Sequence, residues 1–149
     1  MRLLISIGFC LLTGILAATV AISSTVKAVQ TANTPREIPI YHVDTDKKQV
    51  ALSFDAAWGN EQTNTLLDIL DKYEVKTTFF LVGAWVDNYP ESVKDIADKG
   101  HDIGNHSNTH PHMTQMSSSD MTKEVEECNK KIEEITGCRP TLFRAPYGD

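Results

Sequence analysis

No cluster of Lys or Arg appears anywhere in the chain, and its 14 basic residues are outnumbered by 20 acidic ones, for a net charge of −6. A nucleic-acid partner would need a basic footprint, so that class is excluded. Cysteine is scarce: of three in 149 residues, Cys10 lies in the apolar amino-terminal run, leaving Cys128 and Cys138. An exported domain could pair these two. However, Cys128 falls on the apolar stripe of an expected helix and Cys138 just past its end. Nine helical residues rise roughly 13 Å, beyond disulfide reach, so two partly buried thiols are expected instead. No internal repeat or low-complexity tract is visible. Charge is missing altogether from Leu3 to Val26, where Leu, Ile, Ala and Val dominate and Arg2 supplies a positive flank. A run of this length can span a bilayer.

That run divides the chain. Residues 1–27 read as a signal anchor or transmembrane segment, with Val26-Lys27-Ala28 leaving a cleaved signal as the alternative. Phe9 precedes Cys10 where a lipoprotein site would require a small residue. In either reading the positive flank stays inside and the rest of the chain is extracytoplasmic. The polar stretch 28–37, with Pro35, reads as a linker, and 38–149 as the folded part.

Within that part, strand and helix signals alternate. Gln49–Phe54 is a short apolar run and Thr77–Val82 is β-branched and aromatic; both are expected strands. Asn60–Tyr73 and Pro90–Lys99 are expected helices, the second with Pro at its tolerant first turn and Gly100 as its stop. His101–Asn105 is a short strand candidate. Met121, Val125, Cys128, Ile132 and Ile135 form one apolar helical stripe, capped by Ser117 and Asp120 and ended by Gly137 and Pro140. Thr141–Arg144 follows as a strand. The order β-α-β-α-β-α-β predicts an α/β fold with a parallel sheet or barrel. Asp55, His106, His110 and Arg144 then fall at or just beyond the carboxyl ends of strands, where sites in such folds collect.

Taken singly, these residues favour structural roles. Paired histidines on a polar loop usually hydrogen-bond at the surface, though four residues apart on one turn they can clamp a divalent ion. Asp55 could cap a turn and Arg144 could serve a structural ion pair. The ordered set is another matter. Ser53-Phe54-Asp55, His106-Ser107-Asn108-Thr109-His110 and Arg144-Ala145-Pro146-Tyr147-Gly148 resemble the first three motifs of the polysaccharide deacetylase family (NodB-homology, carbohydrate esterase family four). Thr78-Phe79-Phe80 and the stretch Gly100–Asn105 match as well, so the resemblance runs from about Gln49 to the end. Asp55-Ala56-Ala57-Trp58-Gly59 looks like the branch associated with spore formation.

The resemblance implies an incomplete (β/α) barrel of the NodB-homology type. It implies hydrolysis of N-acetyl groups on an extracellular glycan such as peptidoglycan, or of O-acetyl esters by the same chemistry. Asp55 matches the general base that activates water, His106 and His110 the ligands of a divalent metal, usually zinc, and Arg144 the residue that orients the base. Pro146 and Tyr147 match the border of the substrate groove, with the Tyr147 backbone N–H holding the oxyanion. A Lewis acid, a carboxylate base and an oxyanion donor suit amide hydrolysis.

Two departures stand out. The family's second Asp, its third metal ligand, is replaced by Ala56; either Glu61 or another oxygen substitutes, or Asp55 itself turns onto the metal. The family's later Asp-Trp and Leu-x-His motifs are absent, so an incomplete sequence is expected. The alternative function is a catalytically silent glycan-binding or spore-wall protein of the same fold; a soluble binding domain with adventitious histidines is a third.

Overall fold

The computed structural model describes residues 39–149. The apolar run and linker expected over 1–37 lie outside the described residues, among which no helix is long and apolar enough to cross a membrane. Residues 39–47 belong to a different unit from Lys48–Asp149; they are exposed and carry no helix or strand.

In the second unit, three short parallel strands alternate with helices. Strand β1 is Ser53–Ala56, followed by helix α1, Thr63–Lys72. Strand β2, Thr78–Leu81, leads into α2, Gly83–Asn88, and α3, Pro90–Asp98. Strand β3 is Asp102–Asn105, and the long helix α4 is Ser118–Thr136. The strands are ordered β1-β2-β3, with Phe54 opposite Phe79 and Phe79 opposite Ile103. This is the expected α/β fold with a parallel sheet.

Alternation along the strands gives the sheet two different faces. Phe54, Ala56, Phe79, Leu81 and Ile103 pack with Leu67 and Leu70 of α1, Trp85 and Val86 of α2, Val93 and Ile96 of α3, and Cys128 and Ile132 of α4. That apolar layer holds the fold, each fully buried Leu, Ile or Val contributing about 1.5–3 kcal/mol. Asp55 and Phe80 alternate to the other face. Gly104, opposite Phe80, leaves room there: a Cβ would come within 2.5 Å of the Phe80 ring.

The expected capping of α4 is present. Ser117 Oγ accepts from the Asp120 N–H at 3.2 Å, and Gly137 ends the helix with a left-handed φ of 72°, its N–H reaching Glu133 O at 2.8 Å. This is the conformation that only glycine adopts without strain.

Several boundaries differ from expectation. The first strand begins at Ser53 rather than Gln49, because pairing needs a neighbour and β2 begins only at Thr78, opposite Ser53. Residues 49–52, though apolar in part, are exposed. The expected strand Thr141–Arg144 is reduced to a single bridge from Phe143 to Asn105, since it meets β3 only at that strand's last residue. Helix α2 follows β2 directly and carried no separate sequence signal. Cys128 is buried and Cys138 exposed, both unpaired, so only one of the two thiols is sheltered.

Candidate active site

The structure brings Asp55, His106, His110, Arg144 and Tyr147 together at the carboxyl ends of the strands. Each arrives by a different local device. Asp55 is the third residue of β1 and alternates away from the apolar layer. Arg144 follows the Phe143 bridge, and its N–H donates to Asn105 O at 2.9 Å. Its guanidinium lies over the Phe80 ring at 4.1 Å, the ring for which Gly104 leaves room. From there Nη1 reaches Asp55 Oδ1 at 2.5 Å and Nη2 reaches Ser53 Oγ at 2.6 Å. The fork therefore grips one carboxylate oxygen and leaves Oδ2 free of it.

Asp55 Oδ2 faces His106 Nε2 at 3.8 Å. His106 is 4% exposed, and its other ring nitrogen, Nδ1, lies 2.8 Å from Arg144 O. A carbonyl only accepts, so Nδ1 carries a proton, and in the neutral imidazole Nε2 then presents a bare lone pair to the carboxylate. Two electron-rich atoms face one another, an arrangement that a cation between them would relieve. His110 stands beside His106, ring centroids 4.9 Å apart, and its buried Nδ1 has no hydrogen-bond partner. Burial, reinforced by the neighbouring His106, holds the His110 imidazole below its usual pKa, which favours the neutral, ligating form.

The loop from His106 to His110 is tightly held. Asn105 Nδ2 donates to Val125 O and to Asn129 Oδ1 of α4, at 2.8 and 2.7 Å. Its Oδ1 accepts from the Ser107 N–H at 2.7 Å. Glu124 Oε2 accepts from the N–H groups of Asn108 and Thr109, both at 2.8 Å, and Oε1 accepts from Thr109 Oγ1 at 2.8 Å. The α2 amino terminus joins in, Gly83 and Ala84 donating to the carbonyls of Ser107 and Asn108 at 3.0 and 2.9 Å. Ser107 and His110 take positive φ values of 68° and 59°, a strain accepted only where the surroundings over-determine it. Sequence reasoning did not single out Asn105 or Glu124. Their signal was weak, a polar residue ending a strand and an acid on the long helix, and only the packing of α4 gives it meaning.

The donor set fits a divalent ion in part. His110 offers an orphaned imidazole nitrogen and His106 its Nε2, but Ala56 offers no donor atom. No group of three His, Cys, Asp or Glu suited to a metal occurs among the described residues. Glu61 does not fill the gap, its carboxylate lying back over Gly59. Pro146 is buried, whereas Tyr147 is 62% exposed with φ of 59°. Its ring meets His110 at 4.8 Å and stacks on His112 at 3.9 Å. A cleft of about 840 Å³ opens between β1 and α1, with Asp55, Trp58, Leu66 and Trp85 among its lining; it shares Asp55 with the site, whereas His106, His110, Arg144 and Tyr147 do not line it.

The family model described as polysaccharide deacetylase matches residues 42–149. The chain is 43% identical over 110 residues to the uncharacterized protein YlxY of Bacillus subtilis, covering 74% of this chain and 34% of that one. It is 42% identical over 106 residues to the peptidoglycan-N-acetylmuramic acid deacetylase PdaC of the same organism, covering 71% and 23%. The solved structure of PdaC superposes with a TM-score of 0.66, over 71% of this chain and 52% of that one, at 42% identity. Wild-type BA3943 from Bacillus anthracis, described as a CE4 family pseudoenzyme, superposes with a TM-score of 0.68 at 40% identity, over 70% of this chain and 37% of that one. The chain thus spans about a third and a quarter of the length of the two sequence relatives.

Proposed function

The chain belongs to the polysaccharide deacetylase family, and from that premise we propose that it serves the hydrolytic removal of N-acetyl groups from an extracytoplasmic glycan of the peptidoglycan class. The observation that carries this reading is the Asp55 carboxylate, gripped on one oxygen by Arg144 and turned with the other toward His106. A base must present one oxygen to the water it deprotonates, and a fixed carboxylate avoids the cost of orienting at the moment of reaction. Arg144 is therefore the positioning residue and Asp55 the base. The Tyr147 backbone N–H is the proposed donor to the oxyanion. Pro146 and Tyr147 border the groove where the glycan lies.

His106 and His110 would hold a divalent ion, zinc being the best match to two imidazoles. Such an ion supplies Lewis-acid polarisation of the acetyl carbonyl and a lower pKa for bound water. With Ala56 in place of a carboxylate, affinity should be lower than a three-ligand site gives. The uncharged run from Leu3 to Val26 supports tethering at the membrane, and the Asp55-Ala56-Ala57-Trp58-Gly59 sequence supports a role in spore formation.

A second reading has an observation of its own. Ala56 and the missing third ligand favour a silent glycan-binding relative, and the likeness to a pseudoenzyme points the same way. One experiment separates the two. Zinc binding is measured by calorimetry, and acetate release from N-acetylated peptidoglycan is measured in the same preparation. Deacetylation predicts that Asp55→Asn abolishes acetate release while leaving zinc bound. If Asp55→Asn releases the zinc, Asp55 is a ligand and the base assignment is wrong. Glycan binding with neither zinc nor acetate release would establish the silent reading. A mature protein found soluble in the cytoplasm would exclude both forms of export.

A further inference from the structure

Resting on the glycan reading above, we infer that Trp58 is a sugar-stacking residue, forming with Tyr147 an aromatic subsite around His110. Trp58 is 80% exposed. Its indole meets the His110 ring edge-on at 5.7 Å, and Tyr147 meets the same imidazole at 4.8 Å. The histidine thus contacts two aromatic rings that both face solvent.

The exposure of Trp58 is built in. The carbonyl of the next residue, Gly59, accepts from Trp85 Nε1 at 2.5 Å. Asn60 Nδ2 donates to Ser92 Oγ at 3.0 Å. Trp85 and Ser92 belong to α2 and α3 and are both buried, so the chain immediately after Trp58 is fastened to the helical layer. The two tryptophans divide the work: Trp85 anchors the loop from inside, and Trp58 is held out in water. An indole ordinarily gains more by burial than any other side chain, and a rigid mount that keeps it uncovered points to a ligand.

The chemistry of that ligand follows from the surroundings. Tyr147 is likewise braced, stacked on His112 at 3.9 Å and 17°. A flat apolar ring accepts the C–H face of a pyranose while the hydroxyl and acetamido groups at the sugar's rim stay hydrated or reach polar atoms. Trp58 meets His110, which stands beside His106, and His106 faces Asp55, so a sugar seated on the indole lies near the base. The occupant is the N-acetylhexosamine unit at, or next to, the one whose acetyl group is removed.

The test uses the full chain and the N-acetylglucosamine tetramer as probe, followed by calorimetry and by intrinsic fluorescence. Binding should shift the emission of exposed Trp58. Trp58→Ala should weaken binding about tenfold, and Trp58→Phe should stay within about threefold of the original, as expected for one aromatic contact. Trp58→Phe should also lose the fluorescence response, since Trp85 is enclosed. Circular dichroism of both variants should match the original, because the replaced ring is exposed. Binding that survives Trp58→Ala unchanged would overturn the subsite while leaving the glycan reading in place. An original chain that binds no tetramer would overturn both.

Discussion

Replacing Glu124 tests how the paired histidines are held. Its carboxylate accepts three hydrogen bonds, two from the backbone of Asn108 and Thr109 and one from the Thr109 hydroxyl, all at 2.8 Å. A hydrogen bond to a charged group is worth about 1.5–3 kcal/mol net, and a buried donor left unpaired costs about 1–3 kcal/mol. Asn108 is buried while Thr109 is exposed, so water can replace one lost partner but not easily the other. Glu124→Ala should therefore destabilise the chain by about 2–4 kcal/mol, as read by urea unfolding. Glu124→Gln keeps an oxygen for the two backbone donors and should cost only about 1 kcal/mol. The same loop carries His106 and His110, so zinc affinity should fall in the same order. If Glu124→Ala stays within about 0.5 kcal/mol of the original and binds zinc equally well, the loop is set by Asn105 and the α2 amino terminus instead, and Glu124 is dispensable.

Two further outcomes test the core and the base of the sheet. Burial pushes the Cys128 thiol up to about 12, so in the native chain iodoacetamide should label Cys138 and spare Cys128 until denaturant is added, as peptide mapping would show; equal labelling of both would refute the packing of α4. His101 is buried, its Nδ1 accepting from the Thr77 N–H at 3.4 Å while Nε2 has no partner, and burial, then the charge of nearby Lys76, lowers its pKa. The unfolded chain takes up a proton near pH 6.5 that the folded chain refuses, so stability should be full above that pH and fall as the pH drops below it. His110 shifts in the same sense, so the His101 share is the difference between the original and His101→Gln; identical pH profiles for the two would refute it.

How much of this was legible in the sequence depends on what fixed each feature. The α4 stripe and its capping residues are local, and Ser117, Asp120 and Gly137 behave as their chemistry dictates. The centres of β2 and β3 were legible for the same reason, whereas the expected first strand, 49–54, shares only Ser53 and Phe54 with β1. The strand ends were not legible, because β1 starts where β2 offers a partner and the segment before Arg144 pairs only where β3 still extends. The site residues were legible as a set through motif order, and the structure brings them to one end of the sheet. What spacing could not convey is the support beneath them: Gly104 clearing a place for Phe80, Phe80 carrying Arg144, and Asn105 and Glu124 pinning the histidine loop from α4. Those relations join residues far apart in the chain and leave no periodic trace.

Position 56 is where the fold and the family pattern pull against each other. Alternation in β1 places Ala56 with Phe54 on the helix-facing side, packed against the apolar layer, and its register partner Leu81 is fully buried. Asp55, one residue earlier, faces the site. A carboxylate at position 56 therefore has two possible fates: it remains against the apolar layer, or the last residue of the strand turns to bring it to His106 and His110. Ala56→Asp distinguishes them. Without zinc the variant should lose about 1–3 kcal/mol, the cost of a polar group placed against apolar neighbours, and Ala56→Asn should lose a similar amount. Adding zinc should then separate the two. An anionic third ligand neutralises charge and completes the protein's share of a tetrahedral site, so the Asp variant should bind at least about tenfold more tightly than the original, worth about 1.4 kcal/mol. Zinc at 100 times its dissociation constant stabilises the folded state by about 2.7 kcal/mol, enough to offset the substitution's cost in urea unfolding. The Asn variant, neutral and a poorer ligand, should recover far less. If Ala56→Asp is destabilised and zinc restores no more stability than it gives the Asn variant, the side chain at 56 stays with the apolar layer. The third ligand in this chain must then be sought at Asp55, or the two histidines hold the ion alone.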